Sequence, residues 1–273
     1  QNSIFALSAT NSGAVSTSVA GIGYSNPTNG TVTRNRIYDL RNASTGTTVT
    51  APPMAIGILV RAALGAGGTF ANNMISLGDS QATNTQFVGA MNSFVTNTVN
   101  FLYNSVQIQG TASGGALPSY GFLRGDNGAA SAITSAVNLK NNILSNTRTG
   151  GTGKHYAIGN VNSVPATGWG AGASDFEVLN SPVAGTVGIW GLAADQTFAN
   201  WKVASVSDAS SLSGVSVPFV APASGDLHVN YGLTATSVES GGTVIAGLTT
   251  DYDNQVRPGP AGSVNGGALA PDM

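Results

Sequence analysis

Apolar and polar positions along this chain alternate in short bursts separated by clusters of Gly, Asn, Ser and Thr. Inside "VQIQG" (106–110) and "VNLKNNI" (137–143) the alternation has a period of two, which aims one side chain inward and the next outward on a strand. Segments of roughly 4–7 residues bounded by turn-forming residues read as strands joined by turns. No segment sustains an apolar period of 3.6 residues, so the pattern predicts little helix.

One phrase recurs. An Asn followed two residues later by an aliphatic side chain occurs as Asn35/Ile37, Asn73/Ile75, Asn104/Val106 and Asn141/Ile143, at steps of 38, 31 and 37 residues. The uneven steps mean loops of variable length. Between these cores lie "AIGILVRA" (55–62), "QFVGAMNS" (86–93), "SYGFLRGD" (119–126) and "HYAIGNVN" (155–162), so two kinds of strand-sized segment alternate. A period of a few tens of residues points to a solenoid or a propeller. A propeller needs four strands per blade and a blade signature, and neither is visible, so a parallel β-helix is the better fit. Its storeys stack about 4.8 Å apart, and Asn35, Asn73, Asn104 and Asn141 then form a structural ladder. Asn tolerates left-handed backbone at a tight corner, and its amide can bond the Asn above and below.

Composition narrows the chemistry. Of 273 residues, 8% are charged and the net charge is -2, which leaves no basic footprint for nucleic acid. The 37 glycines, with a polar surface built from Ser, Thr, Asn and Gln, suit extended backbone with many turns. Without cysteine there are no disulfides, thiolate metal sites or Cys nucleophiles. The apolar run "MAIGILV" (54–60) falls far short of the roughly 20 residues that cross a bilayer, so no membrane insertion is expected. A start at Gln1 without an export signal leads us to expect a processed, exported chain.

The phrases "RNRIYDLRNASTGT", "NNMISLGD", "NFLYNSVQIQGT" and "VNLKNNILSNTRTGGTGKHYAIGN" occur in that order, followed by "FANWKVASVSDASSLSGVSVPFV", "SGDLHVN" and "TTDYDNQVRP". In this combination the chain resembles the right-handed parallel β-helix (pectin-lyase-like) repeat domains of bacterial surface and secreted proteins, Bacteroidetes-like with type nine secretion. The match covers Val32 to Pro258. It departs at the end, where an Asp-Ile-Gly-Ala-acidic phrase is replaced by "VNGGALAPDM" (264–273). The resemblance implies an all-β, right-handed single-stranded solenoid with an extracellular or cell-surface address, and no reaction. We expect one domain over 1–273: N-terminal coils at 1–30, regular Asn-ladder coils at 31–165, irregular coils at 166–258 decorated with loops or a short helix, and a tail at 259–273.

Candidate chemistry is sparse. β-Helix enzymes acting on polysaccharides need clustered carboxylates, yet the chain has 12 acidic residues and none between Asp126 and Asp175. Asp175 and Glu177, two apart, are a candidate pair on one strand face or two solvated side chains. Asp251 and Asp253, with Arg257 close behind, form the densest charge cluster, read as a structural ion pair pinning the last loop or as Ca²⁺ ligands. His155 and His228, the two histidines, read as turn or strand residues rather than general bases. Trp169, Trp190 and Trp201 are sugar-stacking candidates if exposed in a row; otherwise they cover the side of the solenoid, where "FANWKVAS" (198–205) can fold as a short helix. No cofactor is expected.

Two functions follow. The first is a non-enzymatic structural or adhesive surface protein, a stiff rod assembling head to tail with its own copies into a filament or joining other surface components. The alternative is a carbohydrate-binding or polysaccharide-cleaving β-helix, recognisable by a groove with two acidic residues and an exposed aromatic.

Overall fold

A computed structural model describes residues 1–25, 29–61, 67–93, 96–125, 132–182, 185–192, 194–230, 237–258, 271 and 273. The chain is 44% strand and 5% helix and forms a parallel β-solenoid of about 6 turns. Three stacked sheets make its walls. The first contains Asn2–Ile4, Asn35–Tyr38, Met74–Leu77, Ser105–Ile108, Ile143–Asn146, Val178–Asn180 and Leu212–Ser213, in that spatial order. The second runs through Ser18–Tyr24, Met54–Arg61, Gln86–Ser93, Ser119–Gly125, His155–Val161 and Gly188–Trp190. The third stacks Gly30–Thr33, Gly68–Ala71, Val99–Leu102, Val137–Lys140 and Ser174–Asp175. The two alternating kinds of segment seen in the sequence are thus first-sheet and second-sheet strands.

Most of the tail expected at 259–273, including nearly all of "VNGGALAPDM", lies outside the described residues; Pro271 and Met273 are described.

Each storey passes from the second sheet to the third and then turns sharply into the first. The turn is made by one residue in left-handed backbone: Arg34, Asn72, Tyr103, Asn141 and Phe176 have φ between 55° and 60°. The next residue is the ladder rung. Asn35, Asn73 and Asn104 each send the backbone N–H and one side-chain N–H to the Oδ1 of the rung in the following storey, at 2.9–3.1 Å. The other amide hydrogen of Asn73 and of Asn104 goes to a third-sheet carbonyl of the storey before, on Val32 and Phe70. A buried amide with every donor and acceptor engaged avoids the desolvation cost that orphaned polar groups incur.

The fourth rung is Asn142, not the expected Asn141: Asn104 bonds Asn142 Oδ1, and Asn141 is the corner residue before it. The corner role and the ladder role, assigned to a single Asn on sequence grounds, fall to two neighbours. The column also extends at both ends, from Asn2, which donates to Asn35 Oδ1, to Glu177, which accepts from Asn142 Nδ2 and donates its N–H to Ser211 Oγ.

The interior is narrow and filled in columns. Ile37, Ile75, Val106, Leu144 and Leu179 stack in register in the first sheet, all buried. Facing them, the second sheet carries Gly57 and Gly89. A Cβ on Gly57 would lie 2.4 Å from Ile75 Cγ2, and one on Gly89 would lie 2.3 Å from Val106 Cγ1. Glycine there lets the sheets approach closely. Phe70 stacks on Phe101 at 4.9 Å between centroids, and Phe101 meets Phe122 edge-on at 5.1 Å, favoured aromatic geometries.

The C-terminal third departs from this regularity. Ala194–Gln196 adds an antiparallel strand to Gly188–Trp190, and helix α1 (Phe198–Ser205) follows, its first turn capped by Thr197 Oγ1 accepting from Asn200 N. Trp201 of α1 is fully buried in the core. Beyond it, the hairpin of Phe219–Ala221 and Asp226–Val229 reaches the Arg36 and Tyr38 side chains of the first sheet.

Candidate functional site

The corner residues are where the solenoid meets the rest of the chain. Residues 243–257 run back along the left-handed column toward the N-terminus. Asn141 exchanges two hydrogen bonds with Thr243, each 2.8 Å, and the Tyr103 hydroxyl donates to Thr243 O at 2.6 Å. Asn72 Nδ2 donates to Thr250 O, while Asn72 Oδ1 accepts from Arg257 at 2.6 Å. Arg34 Nε donates to Asp251 O, and Gln1 Nε2 reaches Tyr252 O. This strap therefore ties one residue of each of several storeys, from Asn141 back to Gln1. Ile245 and Leu248 pack beneath it on Ala71, Leu102 and Tyr103.

Strap, hairpin and first sheet enclose a cavity of about 270 Å³ whose lining includes Asn73, Tyr103, His228, Asp253, Arg257 and Met273. His228 bridges two carboxylates in it. Its Nδ1 lies 2.5 Å from Asp226 Oδ1 and its Nε2 lies 2.7 Å from Asp253 Oδ2. Partial burial pushes the Asp226 carboxyl up, but the His228 hydrogen bonds and the charges of His228 and Arg36 outweigh it, leaving it below the usual range. The cluster joins hairpin to strap.

The expected ion pair between Arg257 and Asp251 or Asp253 is not among the ion pairs of the described residues. Arg257 bonds Asn72 and lies 4.0 Å over the Tyr103 ring. Asp251 Oδ1 accepts the backbone N–H groups of Asp253 and Gln255, closing its own loop. Among the described residues no group of three or more His, Cys, Asp or Glu is arranged to hold a metal ion.

The left-handed Phe176 separates Asp175 from Glu177. Asp175 Oδ1 accepts from the N–H groups of Phe176 and Ser210, while Glu177 is fully buried in the ladder. Burial pushes the Glu177 carboxyl well above the usual range; buried Asp208 adds to this, and hydrogen bonds from Asn142 oppose it. One of its oxygens, Oε2, has no hydrogen-bond partner. His155 is buried, with Nδ1 at 2.9 Å from Ser119 Oγ and Nε2 at 3.3 Å from Gly150 O. Burial lowers its pKa and Arg148 adds to that, against the raising effect of the hydrogen bond to the Gly150 carbonyl.

The three tryptophans meet, but not as an exposed row. Trp169, Trp190 and Trp201 pack edge to face with centroids 5.4–5.7 Å apart. The indole N–H groups of Trp169 and Trp201 donate to Ser207 and Asp208. They close the C-terminal end of the core.

Comparison with family models, with curated proteins and with solved structures found no match for this chain. Sequence reasoning missed two internal fasteners, the buried guanidinium groups of Arg124 and Arg148. Arg124 donates to the carbonyls of Ile133, Ser135 and Thr167 and to Asn160 Oδ1. Arg148 donates to Thr83 O and Thr85 O and lies 4.6 Å over Phe87. Burial lowers both to about 10, so both remain charged at neutral pH. Their signal was an Arg inside or beside an otherwise uncharged strand.

Proposed function

We propose that this chain is a non-enzymatic, extracellular structural or adhesive module, a stiff solenoid that presents a surface rather than performing a reaction. What supports the reading most is where its reactive side chains are spent. Asp253 and Asp226 hold His228, Asp251 closes a loop, Glu177 ends the ladder, and Asp208 accepts from Ser174, Ser211 and Trp201 in the core. A general acid or base must reach a substrate proton, and these groups are hydrogen-bonded to other parts of the same chain. The ladder and the strap brace several storeys against one another, as a load-bearing rod requires. The outside address, and the finer likeness to exported pectin-lyase-like repeat domains of bacteria with type nine secretion, come from the sequence resemblance.

The test is incubation with neutral and acidic polysaccharides from pH 4 to 9. The reading predicts no release of reducing or unsaturated ends. Release that His228→Ala or Asp253→Asn abolishes would overturn it.

A second reading, binding of a small carbohydrate, is favoured by the cavity beneath the strap, where Tyr103 and Tyr252 stand beside His228 and Asp253. Glycan-array binding lost in Tyr252→Ala would support it.

A further inference from the structure

The left-handed corners of four successive storeys, Arg34, Asn72, Tyr103 and Asn141, share one side of the solenoid and all hold the strap. What they hold is mostly its backbone. Asn141 Oδ1 accepts the Thr243 N–H and Asn141 Nδ2 donates to Thr243 O, both at 2.8 Å, while the Tyr103 hydroxyl donates to the same carbonyl. Asn72 Nδ2 and Arg34 Nε donate to the carbonyls of Thr250 and Asp251, each at 2.9 Å, and Arg34 also reaches Thr250 Oγ1. Between these anchors Ile245 and Leu248 pack on the buried Ala71, Leu102 and Tyr103. Surfaces that recognise peptides divide the work in this way, main-chain hydrogen bonds giving affinity and apolar seats choosing side chains.

The strap is the weaker partner in this contact. Over 243–249 no residue belongs to a helix or strand, Ile245 and Leu248 are only half-buried, and Val244 is exposed by 60%. A segment with few buried apolar contacts and solvent-reached hydrogen bonds opens at low free-energy cost. The seat keeps its shape when the strap leaves, because each corner adjoins a ladder rung, Asn35, Asn73, Asn104 or Asn142, that is bonded into the solenoid.

We propose that this column of corners is a polypeptide-binding surface that the strap occupies in cis, and that its ligand in trans is an uncharged segment of another protein with two aliphatic side chains three residues apart. The strap displays the pattern the surface takes. Its stretch GGTVIAGLTT (241–250) carries no charge, with backbone anchors at Thr243 and Thr250 and aliphatic side chains at Ile245 and Leu248. Being part of the same chain, the strap competes at an effective concentration of about millimolar, so it masks the surface until it is loosened or outcompeted. The inference rests on the adhesive part of the proposed role and is tested without any polysaccharide, so the two fail separately.

Fluorescence anisotropy of a labelled, end-blocked peptide GGTVIAGLTT against the full chain tests it, with far-UV circular dichroism showing each chain folded. The double variant Ile245→Asp, Leu248→Asp, which drives the chain's own strap off its apolar seat, should bind the peptide at least about tenfold more tightly than wild type once the cis competitor is gone. Adding Asn141→Gly, which keeps the left-handed corner and loses both bonds to the Thr243 backbone, should weaken that binding about fivefold or more. The peptide carrying Ile245→Asp and Leu248→Asp should bind none of the chains. Absence of binding by the double variant at hundreds of micromolar, equal binding by double variant and wild type, or binding indifferent to Asn141→Gly would each overturn the proposal.

Discussion

Asn142 Oδ1 accepts two hydrogen bonds from Asn104, one from its backbone N–H and one from its side-chain amide, both at 2.9 Å. Asn142 Nδ2 in turn donates to Phe101 O and Glu177 Oε1. Asn142→Ala would leave the Asn104 donors buried without an acceptor, a loss of about 2–4 kcal/mol. Asn141→Ala removes the bonds to Thr243 and puts Ala in left-handed backbone, at about 1–2 kcal/mol. Urea unfolding of the two variants should rank them in that order.

Glu177 gives the stability a pH dependence of definite sign. In the unfolded chain a Glu titrates near about 4.3, and in the fold its carboxyl is raised well above that by burial and by Asp208. The folded state therefore holds the proton more tightly, so its contribution is complete below pH 4 and is lost as pH rises toward the folded value. Glu177→Gln, which keeps an acceptor for Asn142 and cannot ionise, should match wild type at pH 4 and exceed it increasingly at pH 6 and 8. Thermal midpoints at the three values decide it; a pH-independent difference would contradict the assignment.

Close approach of the sheets makes Gly89 intolerant. Its added Cβ would meet Val106 Cγ1 at 2.3 Å and Gly121 O at 2.5 Å, and the backbone oxygen cannot swing away. Gly89→Ala should cost about 3 kcal/mol or more. Gly23→Ala, whose Cβ meets nothing within 4 Å, should be neutral within about 0.5 kcal/mol.

The strap should open before the ladder does. Asn72→Ala removes the bonds to Thr250 and Arg257 and should raise hydrogen exchange across 243–257 while the first-sheet amides keep their protection. Equal acceleration everywhere would show that strap and solenoid unfold as one unit.

The solenoid was legible because its strands are built from local alternation, and the Asn column because identical residues recur. The register error at Asn141 has a plain cause: "NNIL" satisfies Asn-x-aliphatic twice, as Asn141/Ile143 and as Asn142/Leu144. The inward residue of the preceding strand resolves it, since Val32, Phe70, Phe101 and Leu139 stand three places before Asn35, Asn73, Asn104 and Asn142. The rung Glu177 was invisible as such because it shares the geometry of the column and not its residue type. The strap was invisible for a different reason. Residues 243–257 carry no period, and their conformation is set by side chains distant in sequence, 217 residues away for Arg34 to Asp251 and 251 for Gln1 to Tyr252.

The central claim is that consecutive storeys pair residue on residue, with Thr69 opposite Asn100 and Asn100 opposite Asn138 in the third sheet. The chain has no cysteine, so disulfide trapping reads this without background. Neighbouring storeys lie about 4.8 Å apart, within the span a disulfide bridges, whereas two storeys exceed the roughly 7 Å limit. Under mild oxidation Thr69→Cys/Asn100→Cys should close a disulfide in the folded chain and Thr69→Cys/Asn138→Cys should not; the reverse result, or equal closure in both, would contradict the stacked solenoid.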